Sequence, residues 1–207
     1  FNRLSAAAGE EGVGPAELLA GLDEAAETAG MALELFTGML DQFDREVRAF
    51  GQFPSYFMGL ANDDGLWEHY DGHLKVVDAD GAVAADRVPV ADYRTIVGES
   101  ASVDSYLKSP YFKPAVEDGA PVELGMYRVG PLARLNVASH CGTPAADREL
   151  AEFRQLGRGA VLSSFHYHYA RLIEILFSIE KVEAILDHSD VLSKEVIAHA
   201  RRNRYEG

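Results

Sequence analysis

Apolar side chains recur every three or four residues over two long stretches of this chain. The first runs through Leu18, Leu22, Ala25, Ala29, Leu33, Phe36, Leu40, Phe43, Val47 and Phe50, behind Pro15, which suits a first helical position. The second runs through Phe165, Tyr169, Leu172, Leu176, Ile179, Val182 and Leu186. Each is the spacing of one buried helix face. Ser163 or Ser164 can cap the second helix by accepting from a backbone N–H that lacks a partner at the first turn. The first stretch would extend roughly 50 Å as a straight helix. A compact globule of this length has a diameter of only about 43 Å. The helix therefore bends at Gly30, its one soft point, or was built to lie in a larger body. Asp23, Glu24, Glu27, Asp41 and Asp44 fall mostly off the stripe and form a solvated face.

Between these helices the period changes. Leu74–Asp78 and Ala82–Asp86 flank Asp80-Gly81, a tight-turn pair, and predict a small antiparallel β-hairpin inserted at 66–90. Phe53–Leu60 is dense in rings but broken by Pro54 and Gly59, so a buried irregular segment is expected. Asn62-Asp63-Asp64-Gly65 is a turn signal. Residues 92–125, with Tyr93, Tyr106, Tyr111, Phe112 and three prolines, read as an extended connection of a length uncommon in an isolated domain. A short element entered through Gly130-Pro131 runs to Val137. Thr143-Pro144 opens a helix with Ala146, Leu150 and Phe153 inside, and Ser193 to about Arg202 is a last short helix. Residues 1–14 form a glycine-bearing lead-in. The fold class is α+β, mostly α, with long amphipathic helices and the hairpin as an insertion, in one unit over 1–207.

A hydrophobic share of 47% and a charged share of 25% suit one ordinary globular core. The net charge of −14 removes the basic footprint that nucleic acid requires and disfavours acidic membrane surfaces. No apolar run approaches the roughly 20 residues that span a bilayer. The single cysteine, Cys141, rules out an internal disulfide framework and a cysteine-only metal site, and fits a reducing compartment. His140 beside it invites the thought of an activated thiolate, but no third orienting group follows.

The candidate chemistry gathers at Ser163–Leu176. Arg171 and Glu174 stand three apart and can pair along the helix surface. His166 and His168 lie roughly 200° apart around a helix, so they cannot share one metal. Arg134 lies in an apolar element, where a buried guanidinium needs a partner. Glu68, His69, Asp71 and His73 are ligands by type, although a polar turn around Asp71-Gly72 accounts for them. No Gly-x-Gly-x-x-Gly fingerprint follows a strand.

His166-Tyr167-His168-Tyr169-Ala170-Arg171-Leu172-Ile173-Glu174 resembles a segment of the large subunit of nickel–iron hydrogenases, in the cytoplasmic nicotinamide- or deazaflavin-linked branch. Val129-Gly130-Pro131-Leu132-Ala133-Arg134 and Phe53–Leu60 with His69-Tyr70-Asp71-Gly72 resemble the same family in the same order. The family holds its metal centre with two Cys-x-x-Cys motifs, one near each end of the subunit; neither is present here. The resemblance therefore implies the central scaffold segment of such a subunit, unable to bind the nickel–iron centre by itself. It implies cytoplasmic H2 oxidation or proton reduction in the intact complex, with no cofactor on this segment. The partners it implies are an iron–sulfur small subunit, plus a nicotinamide- or deazaflavin-reducing subunit. Arg171 and Glu174, then His166 and Arg134, are the structural or supporting candidates; none is a ligand or catalytic group. The alternative is a catalytically inactive hydrogenase-derived module for assembly or binding. An unrelated metal enzyme using His69, His73, His166 and His168 ranks last, because their spacing gives no recognised site.

Overall fold

The computed structural model describes residues 15–116 and 120–192. The lead-in at 1–14 and the helix expected from Ser193 lie outside the described residues.

The first apolar stripe forms α1 (Pro15–Gln42) and α2 (Asp44–Ala49). The chain does not break at Gly30, which lies inside α1. It breaks at Phe43, whose φ/ψ of −116°/29° interrupts the helix. A glycine lowers helix propensity by about 1 kcal/mol without forcing a kink, and here packing holds the helix through it. The 28 residues of α1 extend roughly 42 Å.

Phe53–Leu60, expected to be irregular, instead feeds β1 (Tyr56–Ala61), the strand on which the sheet is built. It pairs antiparallel with β2 (Trp67–Glu68) and β3 (His73–Val77), and parallel with β7 (Tyr127–Arg128). Next to β3 lies β4 (Val83–Pro89). The hairpin at 66–90 is therefore not an insertion: it supplies three strands of a five-stranded sheet. Its turn forms as expected. Gly81 takes φ +80°, and the Asp78 carboxylate accepts from the Asp80 and Ala82 amides at 2.9 Å each. The turn at Asn62 is built in the same way, its side-chain oxygen accepting from Asp64 and Leu66. The stretch at 92–125 holds more structure than its composition suggests: β5 (Val97–Ala101) and β6 (Lys108–Phe112) form a separate antiparallel pair.

Three further helices cover the sheet: α3 (Pro131–Val137), α4 (Pro144–Gln155) and α5 (His166–Leu186). α3 lies against β1 at Gly59, where an added Cβ would already touch the Arg134 backbone at 3.5 Å. α5 packs on α1, α3 and α4. Alternation along β1 divides two cores. Phe57 and its register partner Val77 join the helical core with Leu132, Leu135, Leu150, Phe153 and Ile173. Met58 and Val76 face a smaller cluster with Ile96 and Phe112.

The expected stripe on α5 shifts. His166, Tyr169, Ala170, Ile173 and Leu186 are its buried residues, whereas Val182 is exposed. The α-helix begins at His166 with no side-chain cap. Ser163 and Ser164 are used differently: Ser163 Oγ donates to the carbonyls of Val47 and Phe50 at 2.5 and 3.1 Å, and Ser164 Oγ donates to that of Gly51 at 3.0 Å. The two hydroxyls join the C-terminal end of α2 to the start of α5.

Candidate functional site

The α3–α5 contact carries the strongest polar arrangement. Arg134 donates from Nε and Nη2 to the two carboxylate oxygens of Glu174, at 2.7 and 2.8 Å. Both side chains are largely covered, 25% and 15% exposed. Two parallel charge-assisted bonds of this kind fix orientation as well as energy. The guanidinium also stands 5.7 Å over the Trp67 ring, which packs on Phe177 and His69 at 4.5 and 4.8 Å. The expected partner of Arg134 is thus found, and it is Glu174. This overturns the pairing of Glu174 with Arg171: both oxygens of Glu174 are taken from across the helix contact, and Arg171 is exposed.

His166 is 2% exposed, and its Nδ1 has no hydrogen-bond partner among the described residues. Burial, reinforced by the Arg48 charge and opposed by Asp44, pushes it down to about 4, so the ring is neutral at pH 7. His168 is exposed and packs edge-on against Phe36 and Phe165.

The other histidine candidates do not converge. His73 Nδ1 lies 3.8 Å from Asp63, His69 is against Trp67, and no three His, Cys, Asp or Glu side chains come together as a metal site among the described residues. Cys141 is fully buried. Desolvation, with Asp147 adding to it, pushes its thiol up to about 12. A thiol held protonated is neither a nucleophile nor a metal ligand. A centre held by thiolates therefore does not fit the residues of this chain, and His140 does not activate Cys141: its Nε2 lies 3.3 Å from the Asp64 carbonyl oxygen.

Several structural groups carried no sequence signal. Arg128, 8% exposed, donates to the Leu162 carbonyl and, at 2.8 Å, to that of Phe53, with its guanidinium 4.0 Å from the Phe53 ring centre. Burial lowers its pKa, and Tyr167 opposes this. Glu180 of α5 accepts from the Ala145 and Ala146 amides at the start of α4, at 2.9 and 3.1 Å. This supplies from another helix the cap expected of Thr143, whose side chain makes no capping bond. Burial pushes the Glu180 carboxyl up, but the donors around it win and hold it below the usual range. Only the 3.6-residue phase of Glu180 on the inner side of α5 could have pointed to it. The arrangement as a whole locks helices together. It presents a neutral buried imidazole and an ion pair, with no activated nucleophile.

No protein-family model matches the chain. It is 33% identical over 182 residues to the vhu subunit of the F420-non-reducing hydrogenase of Methanocaldococcus jannaschii, covering 88% of this chain and 42% of that protein. It is 30% identical over 207 residues to the beta subunit of the NAD-reducing hydrogenase HoxS of Cupriavidus necator, covering 100% and 41%. An iron-sulfur subunit of the F420-non-reducing hydrogenase of Archaeoglobus profundus is 30% identical over 155 residues, covering 73% and 31%. Among solved structures, a chain of an NAD+-reducing NiFe-hydrogenase in the H2-reduced state superposes with a TM-score of 0.76 at 32% identity, covering 90% of this chain and 41% of that one. The chain spans about two fifths of the length of the first relatives it matches. These matches correct the expectation of a nickel–iron large subunit: the relatives are named as vhu, beta and iron-sulfur subunits, and none carries the large-subunit designation. The reading of the chain as the central scaffold segment of a large subunit falls with it. What remains is similarity to hydrogenase subunits. No helix among the described residues is long and apolar enough to cross a membrane.

Proposed function

We propose that this chain is part of a hydrogenase subunit, working in a multi-subunit oxidoreductase that exchanges electrons between H2 and a soluble acceptor. The observation that carries this reading is the joint match of fold and sequence over 90% of the chain to a subunit of an NAD+-reducing hydrogenase. The named subunits of the relatives support the existence of companion subunits, which would carry the acceptor chemistry. The chain's own residues contribute the helical frame: the Arg134–Glu174 pair, the Glu180 cap and the serine junction fix α2, α3, α4 and α5 relative to one another. The metal that reacts with H2 is held by residues outside this set, in keeping with the protonated state of Cys141.

The test is anaerobic affinity purification of the natural gene product from its own cells, followed by H2-dependent viologen reduction and intact-mass analysis of what co-purifies. Expected are H2-dependent dye reduction and at least one iron-bearing companion chain. A single polypeptide with neither would overturn the proposal.

A further inference from the structure

Away from the Arg134–Glu174 pair, a cleft of about 680 Å³ is lined by Arg48, Gln52, Asp80, Arg158, Ser163 and His166, together with the backbone between Leu156 and Leu162. Two glycines determine its wall. A Cβ on Gly159 would sit 2.2 Å from the Asp80 carbonyl oxygen, and one on Gly157 would sit 2.6 Å from that of Ala160. Neither position accepts a side chain, so the wall is bare backbone pressed against the β3–β4 turn. The Ala160 amide is used, donating to Ala79, and the Val161 amide donates to Asn136. The Arg158 and Gly159 amides have no acceptor among the described residues. Arg158 is exposed and makes no ion pair among them.

The second observation is His166. It lines the cleft at the first residue of a 21-residue helix, where the backbone dipoles leave a positive end. The ring is buried, with Nδ1 unpartnered. The charged groups around it are few. Arg48 is bonded to Asp44 at 2.5 Å and to the Leu156 carbonyl at 2.9 Å; Arg158 adds a positive charge and Asp80 a negative one.

We propose that this cleft binds a small oxyanionic group, a phosphate or a carboxylate, held by the Arg158 guanidinium and the Arg158 and Gly159 amides, with Arg48 and Gln52 as further donors. Free backbone amides in a tight turn beside a guanidinium and a helix start are the elements from which anion sites are made. An anion there favours the imidazolium of His166, so binding and protonation of that ring are linked. Asp80 opposes the anion.

The experiment is an NMR titration of the 207-residue chain with inorganic phosphate, at ionic strength matched by sodium chloride, with sodium acetate in parallel. Expected are saturable shifts of the Gly157, Arg158 and Gly159 amides and a rise in the His166 pKa of about half a unit or more. Arg158→Gln weakens binding about fivefold or more, and Asp80→Asn tightens it about twofold, both by charge. Saturation by phosphate alone identifies a free phosphate ligand; saturation by acetate alone identifies a carboxylate, as another polypeptide segment would supply. Shifts no larger than those in sodium chloride, or binding unchanged in Arg158→Gln, overturn the site. Both variants lie at exposed positions, and an unaltered amide spectrum elsewhere shows that each is folded.

Discussion

The two faces of the central sheet are unequal. On one side of β1, Phe57 enters a core of nineteen buried residues drawn from four helices and the segments between them. On the other, Met58 meets only three buried neighbours, Val76, Ile96 and Phe112. The same strand, with the same alternation, therefore serves two environments. The helical side is assembled from segments more than 100 residues apart, whereas the small side relies largely on β3 and the β5–β6 pair beside it in sequence. Hydrophobic stabilisation scales with apolar area removed from water, so the helical side should dominate stability. The small side ends in a turn whose Val103, Tyr106 and Leu107 stand in solvent.

The most direct way to break this comparison is to truncate each face. Phe57→Ala should cost about 3–5 kcal/mol in urea unfolding, and Met58→Ala about 2 kcal/mol, because the thinner core relaxes more readily around the gap. Equal losses would show that the two faces do not differ as described. Next in size is the ion pair. Glu174→Gln leaves a largely covered guanidinium without its counter-charge and should cost about 2 kcal/mol, whereas Arg171→Gln, at an exposed position, should stay within about 0.5 kcal/mol. If the Arg171 variant loses as much, the pairing across α3 and α5 is not what holds them.

The helical side should also respond to acid. His166 is depressed to about 4 in the folded chain, against an ordinary value near 6.5. Its contribution is therefore present above about pH 6.5 and is lost as pH falls towards 4, by about 2 kcal/mol in phosphate-free buffer. His166→Gln should flatten the urea midpoint over that window, and an unchanged slope would remove the histidine from the account. Cys141 gives a chemical readout of the same core: with its thiol pushed up to about 12, it should resist iodoacetamide at pH 8 until the chain unfolds. Labelling of the native chain at the rate of free cysteine would contradict the buried placement. The smallest effect belongs to the far edge of the other side, where Tyr106→Ser should change stability by less than about 0.5 kcal/mol.

Much of this architecture was legible in the sequence, and the exceptions share a cause. The spans of α1, α4 and α5, the Asp80-Gly81 turn and the need of Arg134 for a partner all follow from local rules. β1 did not follow, because Pro54 and Gly59 masked a strand whose identity comes from partners at Val77 and Arg128. The Arg171–Glu174 pairing failed for a related reason. Helical spacing shows which side chains can reach each other on one surface, but not that α3 will lie over that surface and take Glu174. Arg128 and Glu180 act on carbonyls and amides of other segments, and no motif records such partners. The hydrogenase likeness was visible in short motifs; which subunit those motifs belong to was not.

The serine junction has a consequence for how the chain holds together when cut. Ser163 and Ser164 bind carbonyls 113 to 116 residues earlier, and β1 pairs with β7 across a comparable detour. The first and second halves of the described chain are thus threaded through one another, while the β5–β6 turn between them is exposed. A protease that nicks the 102–107 turn should leave two pieces that co-elute as one body and part only in denaturant. Neither piece alone contains a complete core, so each becomes the other's folding template.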